Sequence, residues 1–437
     1  MDRTRPNNPR NRVCCIALLF ILVLLSACSA GKAGGTTIAF LRNRSLWTIQ
    51  PDGTTILHLT APTALGFAWS PDHHQLAVRF AATSMFALPH ESLLGTSDDT
   101  HSGIGIISID GGNILPITPI KDNPIRSDIW WNANGNRILY REQAGSSPQQ
   151  WIQSQVDQPG GIARKIISNT SSIPTTSADG SQIASITDAQ TLVIGQPAQT
   201  VQTLRKDALS LLPSGYPARP LWQPQHDAIL YASSGADAQS TTLQLTDLQG
   251  KSKTVSNVVG LQQYCWSPNG DMLLLRTAQG YTIHSLAGGK DISWDDASVS
   301  IPWWSPNSHY VATQSATALT LVTLSTGSMK VLATLHDPAV SQVAADASLL
   351  FHPVAGNIWN TDSSGFALVT TSGTWFNGTN LVTKPMVNAE ASGLYIVTLQ
   401  PITKPPALVD WGEHQSLSWS TANPNTQFVT PYYISQP

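Results

Sequence analysis

Trp266-Ser267-Pro268-Asn269-Gly270-Asp271, followed by the apolar run 272–275, is the stretch that decides the fold. Pro presets φ for the first position of a turn, and Asn-Gly supplies the positive φ that a tight connection requires. A Trp thus ends one strand, and the apolar run begins the next. The same pattern stands at Trp69-Ser70-Pro71-Asp72 and at Trp304-Ser305-Pro306-Asn307, each ahead of an apolar run. Looser copies start at Trp131-Asn132-Ala133-Asn134-Gly135 and Trp222-Gln223-Pro224, while Ser177-Ala178-Asp179-Gly180 keeps the turn and loses the Trp. The anchors at 69, 131, 177, 222, 266 and 304 are 62, 46, 45, 44 and 38 residues apart. A period of this size marks a repeat architecture.

Each period carries a second turn, at Gly160-Gly161, Gly250, Gly288-Gly289 and Gly327, between runs such as Tyr281-Thr282-Ile283-His284 that alternate as half-buried strands do. One period is therefore about four short strands. A single four-stranded unit cannot bury both faces, but units stacked radially can, which predicts an all-β chain folded as a β-propeller. A Trp buried between two units withdraws roughly 150–250 Å² from water, about 4–6 kcal/mol before entropy. Such a site gives the chain a use for its 14 Trp. Residues 38–60 supply three strands with no preceding Trp strand, and Leu417-Ser418-Trp419-Ser420, ahead of Asn423-Pro424-Asn425, is an anchor whose unit runs out of chain. Pairing the C-terminal strand with the N-terminal three would close the ring. Residues 336–437 are less regular, with two poorer repeats near Ala345-Asp346 and Trp375-Phe376-Asn377-Gly378. Nine units can be counted. Eight blades are expected, with seven as the alternative.

The repeats resemble the WD-like repeats of TolB-type β-propellers, also found in prolyl-peptidase-like propeller domains. The resemblance covers residues 38 to about 335 well and implies a fold rather than a function. No Gly-x-Ser-x-Gly elbow is present, so the peptidase triad is not carried over. The α/β domain that precedes the TolB propeller has no counterpart between Cys28 and Ile38, so TolB's partnership is not carried over either.

The opening of the chain reads as an address. Arg3, Arg5, Arg10 and Arg12 precede an apolar run over 14–25, a secretory signal too short for a stable span. Leu25-Ser26-Ala27-Cys28 resembles the lipobox of bacterial lipoproteins. That resemblance implies cleavage before Cys28 and a diacylglycerol thioether on its sulfur. The expected organisation is a signal peptide over 1–27, a lipidated Cys and small-residue tether over 28–36, and the propeller over 37–437. Cleavage leaves net charge −6, against −3 for the whole chain. Neither value suits a nucleic-acid binder. Cys265 remains as the one free thiol, adjoining Trp266 in an apolar strand and read as core.

Catalytic and metal motifs are absent from the sequence: it contains no His-Glu-x-x-His and no Cys-x-x-Cys. His73-His74 reads as a pair of exposed turn residues. Asp291, Asp295 and Asp296 lack the ligand alternation of a calcium loop and read as a solvated edge. No catalytic residue, cofactor or metal is expected. The long insertions 81–102, 142–150, 206–218 and 233–240 leave on the face opposite the Trp turns, and long loops on a rigid scaffold are where binding sits. The candidate binding face is His90, Glu91, Asp98, Asp99 and His101, with Arg126, Arg141 and Trp151 on the neighbouring blade. Met85, Phe86 and Leu88 either belong to that surface or tack the loop onto its blade.

Three readings of function follow. The first, and the expectation here, is a non-enzymatic scaffold lipid-anchored outside the cytoplasm as a monomer. It would bind an envelope protein, peptide or glycan. The second is a hydrolase or lyase with its site at the propeller axis. The third is a surface sensor or assembly factor that needs a separate partner chain.

Overall fold

The computed structural model describes residues 37–427, apart from 82–100, 123–125, 144–150, 158–163, 171, 173, 197–200, 296–301, 315–317, 336–356, 371–373, 378–379, 384–391, 400–403, 413 and 422. The described residues form eight sheets with antiparallel neighbours throughout, save one parallel pairing. The chain is a β-propeller. The Trp266 sheet is representative: Leu261–Trp266, Met272–Thr277, Gly280–Ser285 and Ile292–Asp295 pair in sequence order. First strands of several successive sheets touch one another, whereas fourth strands such as Ile56–His58 and Gln202–Arg205 are largely exposed. First strands therefore surround the axis and fourth strands form the rim.

Most of the turns that follow a first strand are stitched by their own side chains. Ser267 Oγ donates to Asn269 Oδ1 at 2.7 Å and accepts from the Met272 N–H at 3.0 Å. Ser70, Ser177 and Ser305 repeat both bonds, and Asn132 and Asn360 replace the hydroxyl with an amide oxygen that accepts from the fifth residue on. At most anchors the fourth residue on has positive φ, +76° at Gly270, where a Cβ would also stand 2.5 Å from Pro224 O; after Trp222 it is the third, Gln225. His73, Ser308 and Ser363 occupy the same conformation without glycine's freedom.

The anchors form a ring of indoles. Trp69, Trp131, Trp222, Trp266 and Trp304 are all buried at the end of a first strand, as the pattern requires. In most of them the indole N–H crosses to the preceding sheet, onto the carbonyl just before that sheet's own anchor. Trp266 donates to Leu221 O, Trp222 to Thr175 O, Trp131 to Ala68 O and Trp69 to Ser418 O, at 3.1–3.3 Å. At the position that lacks its Trp, Thr176, the indole comes from the neighbour: Trp130 donates to Thr176 Oγ1 at 3.2 Å. Cys265 is core, and burial pushes its thiol up to about 12.

The ring closes where expected. Ile38–Arg42 lies between Ser45–Ile49 and Gln415–Ser418, so the C-terminal strand completes the N-terminal sheet. Between residues 336 and 412 the reading needs correction. Trp375 is not an anchor: Thr374–Asn377 and Asn380–Thr383 form a hairpin that adds to the far edge of the Trp304 sheet through a parallel pairing with Ser328–Leu335. That sheet therefore has six strands rather than four. The true anchor is Trp359, fully buried, bridged to Phe366, with its N–H on Trp303 O at 3.0 Å. It was missed because Asn360-Thr361-Asp362-Ser363 contains neither Pro nor Gly. The Ala345-Asp346 unit lies outside the described residues.

Candidate functional site at the propeller axis

Four consecutive first strands end around a cavity of about 310 Å³. Phe67, Ala68 and Trp69, then Ile129, Trp130 and Trp131, then Thr176 and Ser177 form one wall, with Ser418 from the closing strand. The other wall is chain that follows Trp419. Among the described residues no strand follows Asn423-Pro424-Asn425; Pro424–Thr426 is a short 3₁₀ turn, capped by Asn423 Oδ1 accepting from the Asn425 N–H at 2.9 Å. This segment leaves the closing sheet and runs across the axis. Asn425 Nδ2 donates to Thr176 O at 3.0 Å, and Arg219 donates to Gln427 O. The same turn packs against Leu261–Trp266, one sheet farther around.

Residues 420–421 and 423–427 are therefore a strap that ties the closing sheet to the Thr176, Trp222 and Trp266 sheets. Within it, Asn425 and Thr426 are buried. Asn425 and Ser420 both line the cavity, and their Oδ1 and Oγ atoms are buried from solvent without a hydrogen-bond partner among the described residues. The lining consists of indoles, aliphatic groups, hydroxyls and amides. Among the described residues it contains no carboxylate, imidazole, amine, guanidinium or thiol.

A second polar cluster holds the ring shut. Arg42 Nη2 stands 2.7 Å from Asp410 Oδ2 and 3.1 Å from His414 Nε2, and His414 Nδ1 is 2.9 Å from Gly412 O. The His414 side chain is fully buried against the Phe40 ring, and burial, aided by the Arg42 charge, lowers it to about 4. It joins the first and last sheets across the seam. His73 also departs from expectation: it is buried, packs on Trp69, and is pushed down by burial, while His74 is exposed as expected.

Of the sequence-predicted site residues, Cys28, His90, Glu91, Asp98 and Asp99 lie outside the described residues. The backbone register brings the other four to one end of two adjacent sheets. His101 opens the third strand of the Trp69 sheet, opposite Asp122. In the Trp131 sheet Arg126 pairs with Glu142, Arg141 with Ser127 and Gln153, and Trp151 with Gln143. All four positions are at the end away from the Trp turns. Insertion 206–218 is different: Ala208 and Leu212 are buried in the core and Ser214 Oγ donates to Leu261 O, so this loop is packing. The strap residues Ser420, Asn423 and Asn425 were not foreseen as a site.

The sequence matches no family model and no curated protein. Among solved structures it is similar to an oligogalacturonate lyase in complex with manganese, at 11% identity over 66% of this chain and 86% of that one, TM-score 0.47. It is similar to a eukaryotic initiation factor at 12% identity over 87% and 97%, TM-score 0.48. A TolB from Agrobacterium tumefaciens is similar at 16% identity over 57% and 86%, TM-score 0.33. Likenesses this distant bear on nothing beyond the fold.

Proposed function

We propose that this propeller is a non-enzymatic binding scaffold, held at the outer surface of a cell membrane by lipid on Cys28, with a recognition site at its axis. The observation that carries the reading is the uncharged axial lining. General acid–base or nucleophilic catalysis calls for a side chain that takes up or releases a proton near the working pH. The indoles, hydroxyls and amides around this cavity do not titrate there; they can accept, donate and pack. The opposite face, where His101, Arg126, Arg141 and Trp151 share one end of adjacent sheets, is proposed as the surface for an envelope protein, peptide or glycan.

Anchoring and binding are tested together by expressing the wild-type chain and Cys28→Ala with labelled fatty acid, then fractionating membranes. Two acyl chains give stable attachment where one is marginal. Wild type is expected to carry label and sediment with membranes, and the variant to lose label and be released or left unprocessed. A processed, unlabelled Cys28→Ala chain that stays on the membrane overturns the anchor. Turnover of a saccharide or peptide by the purified protein overturns the scaffold reading.

A further inference from the structure

We infer that the propeller rests on the bilayer by one edge of its rim, the apolar corner formed by Ile56, Leu57, Leu115, Leu408 and Trp411. The inference rests on the lipid anchor at Cys28 and adds the protein surface that meets the lipid. These five side chains are 39% to 49% exposed, each on the outermost strand of its sheet. The strands are Ile56–His58, Leu115–Asp122 and Ala407–Gly412, from the closing sheet and its neighbour on either side. On one side the turn before Ile56–His58 stands against Val409, where a Cβ on Gly53 would be 2.8 Å from Val409 O. On the other, Trp69 donates to Ser418 O. Ile56, Leu57, Leu115 and Leu408 are within the first two residues of their strands, which puts them at the end of the sheets that carries the Trp turns. Trp411 lies farther along its strand, edge-on to Tyr395 at 6.3 Å.

The anchor enters at the same corner. Ile38 pairs with Ile49 and Ile49 with Ile56, so the residue that follows the tether and the rim residue Ile56 share one row across the sheet. Two strand spacings separate them, about 10 Å. Thr37 is tied to that end as well, its Oγ1 accepting from Gln50 Nε2 at 3.0 Å. Thr37 is nine residues after Cys28. A chain of that length reaches at most about 32 Å when fully extended, and about 15–18 Å on average as a flexible linker. Lipid on Cys28 therefore holds this corner beside the headgroups at a high local concentration, where weak contacts suffice. The positions of His101, Arg126, Arg141 and Trp151 are at the other end of the sheets, turned away from the bilayer.

The chemistry of the corner suits lipid. The rim is an outward edge, whereas recognition of a small ligand or a peptide side chain calls for a concave site. Isoleucine, leucine and exposed tryptophan are side chains that enter the boundary between headgroups and acyl chains. The turns leading into the three strands carry, among the described residues, Asp52, Asp110 and Lys404, all exposed, and Asp410 on the rim pairs with Arg42. They offer no positive excess to attract anionic lipid. The contact is apolar and indifferent to headgroup charge.

The test reconstitutes the full-length chain into phosphatidylcholine vesicles with brominated acyl chains, as Ile56→Cys, Leu115→Cys, Leu408→Cys or Val259→Cys, each labelled with an environment-sensitive fluorophore. Wild type carried through the same labelling is the blank. Val259 is the control, 66% exposed on the rim of the Trp222 sheet, four sheets farther round. A side chain about 5–10 Å into the boundary region stands beside the bromines, so labels at 56, 115 and 408 are expected to lose at least about half of their emission and the label at 259 almost none. Added phosphatidylglycerol should change the loss by less than about twofold. As a measurement without a label, the same vesicles should quench the tryptophan emission of wild type more than that of Trp411→Phe. Melting curves of all variants establish that the ring is closed. Absence of quenching at the three positions overturns the inference, as does equal quenching at 259 or quenching that requires phosphatidylglycerol. Shielding of the three labels from aqueous iodide without quenching by the bromines assigns the corner to a second copy of the chain, and overturns it too. The anchor is scored separately, by the mass of the peptide that contains Cys28. An acylated Cys28 without quenching removes this inference alone, an unmodified Cys28 with quenching removes the anchor alone, and an unmodified Cys28 without quenching removes both.

Discussion

Lowering the pH should loosen the seam of the propeller through His414. In the folded chain its neutral ring fits the seam: Nδ1–H donates to Gly412 O, and Nε2 accepts from Arg42. Protonation would place a second positive charge, fully buried, beside the Arg42 guanidinium, with Asp410 as the only compensating neighbour in the cluster. The folded value therefore falls to about 4, from 6.5 for a free imidazole. Between those values the unfolded state binds more protons than the folded one. Stability is thus fully present above about pH 6.5 and declines as the pH drops toward 4. At about 1.4 kcal/mol per unit, the span is worth about 3 kcal/mol. The assay is urea unfolding of wild type and His414→Asn at pH 7, 5.5 and 4.5. Carboxylates contribute to the slope in both proteins, and His73, lowered by its own burial, contributes in the same direction in both. The difference between the two slopes isolates His414. Wild type should lose the greater part of about 3 kcal/mol more than the variant across this range. Equal pH dependence in the two proteins would refute the reasoning.

Trp266→Ala removes a fully buried indole and its bond to Leu221 O, and should cost about 3–5 kcal/mol in chemical unfolding; a loss under about 1 kcal/mol counts against the indole ring as the inter-blade cement. Gly270→Ala forces a Cβ onto Pro224 O at φ +76° and should destabilise by more than the about 1 kcal/mol of an ordinary left-handed alanine, whereas Ser308→Ala, at an equivalent turn, should cost only its bond to the Asn269 N–H. Replacing residues 82–101 with a short Gly-Ser turn should leave the melting temperature almost unchanged while abolishing capture of an envelope partner. Equal capture by the shortened protein would make that insertion decoration and move the macromolecular site elsewhere.

Repeat period, blade interior and ring closure were legible because their causes are local. The bonds of a turn such as 267–272 close within five residues, so Ser, Pro, Asn and Gly at fixed offsets reveal it without any neighbour. The alternation of apolar runs identifies strands, and a Trp at the end of each first strand identifies the buried seam. Where the turn chemistry changed, at Asn360-Thr361-Asp362-Ser363, the reading slipped by one unit, although Asn360 Oδ1 does the work of the serine hydroxyl.

The sequence alone therefore determined the all-β repeat architecture, its closure by the C-terminal strand and the core positions of the anchors. Only the tertiary structure decided what happens at the axis. Trp69 finds its acceptor 349 residues away, Asn425 finds Thr176 at a separation of 249, and Arg42 finds His414 at 372. Contacts at such separations carry no period and no fixed offset. They depend on how many units stand between the partners and on how far each is rotated about the axis, and the curvature of the completed ring sets both.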